Sequence, residues 1–585
     1  MIVNVIHRPS KGNLYDMFRL QQDIAHGLGL KVTILVSYDF MFMPGVVADI
    51  IRDHEKYGDE IGIWVSDLDS GEIQNVVSCK EIFLWLHTQE NKQKIIQAHL
   101  EKFREVFDME PASFGSYHMD ASSMKILHGL CPAVKISISG CFEEGVKVFH
   151  GCNNSWYLFN EGMPWGPWYP AKENTLRPAE NETEWCGIVG VPHLCRDMVL
   201  SYEGRNDFFA SHPANVQRAM ANEGANAPYT LNLLDMYRYQ ERFNNGFSYT
   251  NVFVGPNWLS GSMNVQDSDE ITQGLYREYL AYYAQLEAKG KLVSMHMSEF
   301  ADWYVEHVPI KKAQLFDARE ILYGSKKEYF WYCNSNMRVT FDLFQGGSIG
   351  DLRPFVARQP RCTGADMPDR MMGSNPYLIH SQYRSGNAHH CMDGARTTFL
   401  LEHNGERLDL ADYPSKIQSI VREGDVVILE MKEIALVFSD NVEVGLKTKI
   451  VIKPDGKIQF ERRITSCSHK NMVFTADEYV KGCWGTTEYP EKMDDICLSV
   501  VRGDASDTLI YRYEGRCLEA EKADRVCAYI PSMKTEISLD TKEGDFLCGK
   551  AEEGFLFNPY YTLHQIAEIS LEKGVLTELC LKKKK

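Results

Sequence analysis

What most constrains this chain is a repeat of pattern rather than of residues. Through its first half, a short apolar run suited to a strand is followed again and again by a segment whose apolar residues return at helical spacing. Residues 2–7 are strand-like and precede a segment in which Leu14, Met17, Leu20 and Ile24 share one helical face. A strand at 31–39 precedes a helix at 45–57, and a strand at 60–67 precedes a long helix at 90–106. Further strands are expected at 112–120, 133–142, 187–194, 249–258 and 292–297. Strand–helix units of this length join parallel strands, and enough of them curl a sheet into a barrel. Residues 1–310 therefore predict an α/β unit, a (β/α)7-type barrel, with its chemistry where the strands end.

The texture changes after residue 310. Tyr329-Phe330-Trp331-Tyr332, residues 426–431 and residues 442–452 are strand-like runs with turns, not helices, between them. Pro454 fixes φ and Gly456 supplies a positive φ, so 453–457 reads as a hairpin. Residues 311–585 thus predict an all-β sandwich. A chain of 585 residues is ample for two such cores.

Charge narrows the partners. With 62 Lys+Arg against 80 Asp+Glu the chain carries a formal −18, which repels nucleic acid and anionic membranes and leaves a small neutral, hydroxyl-rich substrate unaffected. The chain opens on a strand rather than on a basic and then apolar leader, and no stretch is long and apolar enough for a membrane span, so a cytoplasmic location is expected. The 16 cysteines are scattered with no CxxC pair and read as reduced core residues. No cofactor is expected, and homo-oligomerisation is left open.

Polar and aromatic residues collect at the predicted strand ends: His7 with Arg8, Asp39, Trp64 with Asp67, His118 with Asp120, Glu143 with Glu144, His193 with Arg196 and Asp197, and Asn257 with Trp258. A ring of such residues at one edge of an apolar barrel suggests a site. Asp120 is the first catalytic candidate, although Asp-Ala-Ser-Ser ahead of a helix is also an N-cap pattern. Trp156 and Trp165, in a long Gly/Pro-rich connection, are expected to stack on sugar rings. The histidines lack HxxxH or HExxH spacing, so no metal is expected.

Gly115-Ser116-Tyr117-His118-Met119-Asp120 resembles the nucleophile segment of glycoside hydrolase family 57, with Asp where that family has Glu. His7 resembles the histidine that ends the first strand there, with the family's H-x-H-Q-P reduced to one histidine. Gly58-Asp59-Glu60-Ile61-Gly62 looks like a segment of polysaccharide deacetylases, whose metal histidines are matched here by Trp64 and Leu68. The first half is similar to the glycoside hydrolase/deacetylase (β/α)7-barrel superfamily, above all to bacterial proteins with a β-sandwich behind the barrel. The second half resembles galactose-mutarotase-like sandwiches in strand texture. The resemblance implies a glycoside hydrolase with Asp120 as nucleophile. Asp197 is the preferred acid/base, and His7, Asp39, Trp64, His118, Trp156, Trp165, His193, Arg196 and Trp258 are expected to line the substrate site. Metal-dependent deacetylation, glycosyl transfer or branching, and carbohydrate binding without catalysis stay open.

Overall fold

The computed structural model describes residues 1–12, 14–78, 80–140, 165–193, 195, 197–203, 227–260, 269–321, 324–356, 377–380, 395–484, 493, 495–556 and 558–584. It divides into two compact units, one formed mainly by Met1–Lys312 and the other by most of residues 313–585.

In the first unit the strands are β1 (Ile2–His7), β2 (Val32–Val36), β3 (Glu60–Trp64), β4 (Ser113–Gly115), β5 (Ile136–Gly140), β6 (Val189–Pro192), β7 (Tyr249–Val252) and β8 (Val293–Ser294). They alternate with α1 (Leu14–Gly27), α2 (Pro44–Tyr57), α3 (Gln89–Phe107), α4 (Ala121–Leu130), α5 (Met198–Glu203), α6 (Ala227–Tyr239), α7 (Asp269–Ala288) and α8 (Met297–His307). The sheet runs β6-β5-β4-β3-β2-β1-β7, with β8 paired to the start of β1. Its pairings are parallel, which explains why β1 and β2 are buried along their whole lengths and lack a polar face. Val5, Ile34, Ile63 and Phe114 from the strands share one core with Phe18, Ile50, Ile95, Leu100, Met124 and Leu280 from the helices.

The parallel sheet with its helices is that of a half-barrel, and closure of the barrel is not shown. Among the described residues the ladder ends at β6 on one side and β7 on the other. What links these two edges is a side chain. Asn251, fully buried on β7, donates from Nδ2 to the Pro192 carbonyl at 2.7 Å, and its Oδ1 accepts from the Cys195 backbone N–H at 3.0 Å. One amide thus satisfies an acceptor and a donor that the missing strand pairing would leave orphaned. Asn251→Ala should cost about 2–4 kcal/mol in urea unfolding, because both groups lose their partner in a dry site. A change below about 0.5 kcal/mol would deny the clasp.

Several expected strands are shorter than their apolar runs. The run expected at 249–258 ends as a strand at Val252, and Pro256–Leu259 forms a 3-10 helix that holds Trp258. After β8, His296 caps α8 and the Glu299 carboxylate accepts from the His296 N–H at 3.0 Å, a reciprocal capping box.

The second unit contains antiparallel sheets of five, six and ten strands. Phe399, Phe474 and Ile569 of the six-stranded sheet share a core with Val444, Leu446 and Ile464 of the ten-stranded sheet, so these two sheets pack face to face. The 453–457 turn closes as expected: the Lys453 N–H reaches the Lys457 carbonyl at 2.8 Å, with Gly456 at φ +86°. Among the described residues no helix is long and apolar enough to cross a membrane. The described cysteines are free thiols.

Candidate active site

A cleft of about 300 Å³ opens at the carboxyl ends of β1, β2 and β3. The chain after β1 contributes Arg8, Ser10 and Lys11, the chain after β2 Ser37, Tyr38 and Asp39, and the chain after β3 Ser66, Asp67 and Ser70. Three strand ends that lie side by side in the ladder therefore supply charge and hydroxyls to one hollow. A hollow of that kind, sited there in an α/β sheet, is where a small polar ligand is expected.

Its two carboxylates differ. Asp39 is engaged on both oxygens: Oδ1 accepts from the Glu72 N–H at 2.8 Å and Oδ2 is ion-paired to Lys11. Asp67 is exposed, and among the described residues its carboxylate accepts from the Ser66 hydroxyl alone, at 2.7 Å on Oδ2. That hydroxyl in turn accepts from the Trp64 indole N–H at 2.7 Å, so a fully buried ring fixes the serine that fixes the carboxylate. Asp67 also sits at φ +56°, a left-handed conformation that a non-glycine residue adopts at a cost of about 1–2 kcal/mol.

Beside the cleft lies an aromatic floor. Trp64 meets Tyr117 at 5.2 Å and Phe253 at 5.0 Å between ring centres, and His193 lies 4.8 Å from Tyr117 and 5.1 Å from Phe253. These rings come from the ends of β3, β4, β6 and β7, which shows that the open sheet curls until distant strand ends meet. Gly115 makes room for this: a Cβ there would lie 2.9 Å from the Trp64 ring. The Arg8 guanidinium caps the floor, 5.3 Å from the Trp64 centre and 5.6 Å from that of Phe253. Burial, and then the Arg8 charge, push His193 down to about 3, so its ring is neutral.

The sequence-predicted residues fall into distinct groups. Asp39 lines the cleft; Trp64 and His193 belong to the aromatic cluster beside it, where Trp64 is buried under Arg8 and offers no open face to a sugar. His7 turns the other way, between sheet and helices, where Nδ1 meets the Gln22 side-chain oxygen and Nε2 meets the Tyr276 hydroxyl at 2.7 Å. Arg8, one residue on, takes the inward position that His7 was expected to fill, as strand alternation requires.

Asp120 is placed as a cap. Its side chain is 2 % exposed and accepts from the Ser122 N–H at 3.2 Å, the Ser122 hydroxyl at 2.6 Å, the Ser123 hydroxyl, and Lys92 Nζ at 2.9 Å. Burial would push this carboxyl up, but the Lys92 charge and the hydrogen bonds outweigh it and hold it below its ordinary value. Both oxygens are occupied and shut from solvent, a poor arrangement for attacking an anomeric carbon. Asp197 is likewise fully buried and accepts from the Val199 N–H at 3.0 Å at the start of α5. Both leading carboxylates are thus drawn into helix starts, for which their sequence pattern was equally suited. His118 is buried, with Nδ1 3.2 Å from the Ser139 carbonyl.

Trp165 is 2 % exposed, and the adjoining Trp168 is buried against Gly190, where a Cβ would come within 3.0 Å of its ring. Trp168 donates to the Thr175 carbonyl at 2.8 Å. This part of the connection is packing, not an open stacking surface. Trp156 and Arg196 lie outside the described residues, as does the side chain of Trp258.

Lys92 and Phe253 are residues that sequence reasoning left out of the site, whereas Arg8 and Asp67 stood in the ring of polar strand-end residues, and Tyr117 in the Gly115–Asp120 motif, without a role of their own. Lys92 left a trace, since with Ile95, Ile96, His99 and Phe103 it falls on the buried stripe of α3, where a lysine needs a partner. Among the described residues no cluster of three or more His, Cys, Asp or Glu is arranged to hold a metal ion.

Burial also fixes the acid response. His7, His99 and His118 are all pushed down to about 4, chiefly by burial. Their folded values lie below the unfolded value of about 6.5, so between pH 6.5 and 4 the unfolded chain binds more protons. The stability they contribute is whole above pH 6.5 and is lost as pH falls through that window, by about 2 kcal/mol per histidine at pH 5. Urea midpoints at pH 7 and pH 5 should differ accordingly. Equal midpoints would contradict neutral burial.

No family model matches the chain, and no curated protein matches it. Solved structures similar to it include the 4-alpha-glucanotransferase of Thermococcus litoralis, 10% identical over 99% of both chains with a TM-score of 0.28. A galactose mutarotase-like protein from Clostridium acetobutylicum is 8% identical over 46% of this chain and 98% of its own, with a TM-score of 0.28. Galactose 1-epimerase from Lactobacillus acidophilus is 8% identical over 47% of this chain and all of its own (100%), with a TM-score of 0.29. Likenesses this slight carry no functional argument.

Proposed function

We propose that this chain is a carbohydrate-active enzyme, a glycoside hydrolase that works on a small soluble glycoside in the cleft at the ends of β1, β2 and β3. The observation that carries this reading is the pairing of two carboxylates, Asp39 and Asp67, in one cleft of about 300 Å³ whose lining also includes four serines, Arg8 and Lys11 beside Tyr38, Phe40 and a few apolar residues. Hydroxyl-rich ligands need many short-range donors and acceptors, and glycosidic cleavage needs two carboxyl groups about the scissile bond.

In this reading Asp67 acts on the substrate, because among the described residues nothing engages its Oδ1 while Ser66 and Trp64 fix the direction of the group. Asp39 is the second carboxylate, held in place by the Lys11 ammonium and the Glu72 N–H. The sequence-level pair of Asp120 and Asp197 is thereby replaced. The test is hydrolysis of a panel of 4-nitrophenyl glycosides by the full chain, followed by Asp67→Asn and Asp39→Asn on whichever substrate turns over. Loss in both variants supports the reading; undiminished turnover in both rejects it.

A further inference from the structure

The cleft holds a cation that the proposed chemistry does not use. Arg8 is half-buried, and among the described residues no carboxylate lies within ion-pairing distance of it and no hydrogen bond engages it. That is unusual in a chain with 80 acidic against 62 basic residues, where most guanidinium groups can find a carboxylate. Lys11, its neighbour in the cleft, has found Asp39. Arg8 instead rests over the rings of Trp64 and Phe253, contacts that hold a guanidinium in place while leaving its in-plane N–H donors uncommitted. The neutral His193 ring, packed on the same two aromatics, supplies no counter-charge.

We infer that the ligand of this cleft carries an anionic oxygen group, a carboxylate or a phosphate, received by Arg8. A planar fork with open donors matches either group in bidentate fashion, and an aromatic backing raises the strength of that contact by excluding water behind it. Asp67 sits on the chain after β3 and Arg8 on the chain after β1, so the charged group and the scissile bond would be held from different strand ends. The inference rests on the reading of the cleft as a carbohydrate site and adds the charge class of the sugar.

The experiment is titration calorimetry of the full chain with D-glucuronate, D-glucose 6-phosphate and D-glucose, at low and high salt. At least one anionic sugar should bind ten-fold or more tightly than glucose, with an affinity that weakens as salt rises, and the stronger of the two identifies the group. Arg8→Gln should bring the anionic sugars down to the affinity that the same variant shows for glucose; Arg8→Lys should retain part of the advantage, which separates lost charge from lost folding. Equal affinity for all three sugars, or no binding by any, would overturn the inference. So would an Arg8→Gln variant that keeps the preference. A charge-blind cleft in which Asp67→Asn still abolishes turnover would sink only the anionic ligand, whereas unaltered turnover in Asp67→Asn would sink the underlying reading.

Discussion

Asp120→Ala should destabilise the first unit by about 3–5 kcal/mol rather than yield a folded, inactive protein. The reason is Lys92: its ammonium is fully buried, and its described partners are the Asp120 carboxylate at 2.9 Å and the Ser122 hydroxyl at 2.9 Å. Removing the carboxylate strands a positive charge out of water and also removes the cap of α4, itself worth about 1 kcal/mol. If the stranded charge is the main cause, Lys92→Met placed on the Asp120→Ala background should recover a large part of the loss. Denaturant unfolding of the two variants and their parent measures this. A loss below about 1 kcal/mol, with turnover abolished, would instead return Asp120 to the role of nucleophile.

Asp67→Asn should do the reverse: about 10²–10⁴-fold slower turnover with little change in stability. The side chain is exposed, and an amide oxygen can still accept from the Ser66 hydroxyl, so nothing in the fold depends on the negative charge. What is lost is the capacity to take up, hold or release a proton, or to attack, at the substrate. Asp67→Gly sharpens the point, since glycine relieves the left-handed backbone at φ +56° and should leave the protein at least as stable while equally inactive. Stability gained together with activity lost is the sign of strain kept for function. Unaltered kcat in either variant would remove Asp67 from the chemistry.

The two variants also show which parts of this molecule can be read from its sequence. The strands of the first unit were legible because parallel strands covered on both faces become continuous apolar runs, as in Val32–Val36. Their ends were not: 249–258 looks like one run, yet the chain leaves the sheet after Val252 and turns into a short helix. That error of a few residues matters most at strand ends, where each residue reverses the direction of its side chain. Even at the first strand, whose bounds 2–7 were right, the direction of each side chain was not legible, and His7 faces the helices and Arg8 the cleft. Asp120 was found as a polar residue at a strand-to-helix turn, but its partner Lys92 lies 28 residues earlier on another helix, and no local pattern joins them. Asp67 owes its standing to a backbone conformation and to a hydroxyl relay from Trp64, neither of which is written in residue order. The described end of the aromatic connection, at Trp165 and Trp168, departs from expectation for a related reason. Tryptophans between glycines and prolines suit a stacking surface, but Gly190, on a separate strand, provides the recess that takes Trp168 inward.

The central claim, that the cleft of Asp39 and Asp67 is where substrate binds, is met most directly by a crystal of the full chain soaked with D-glucuronate and, separately, with D-glucose. The account predicts a sugar ring ordered between Asp67 and Arg8, with Asp120 still bonded to Lys92. A ring ordered against Asp120, with Lys92 drawn away from it, would contradict the account.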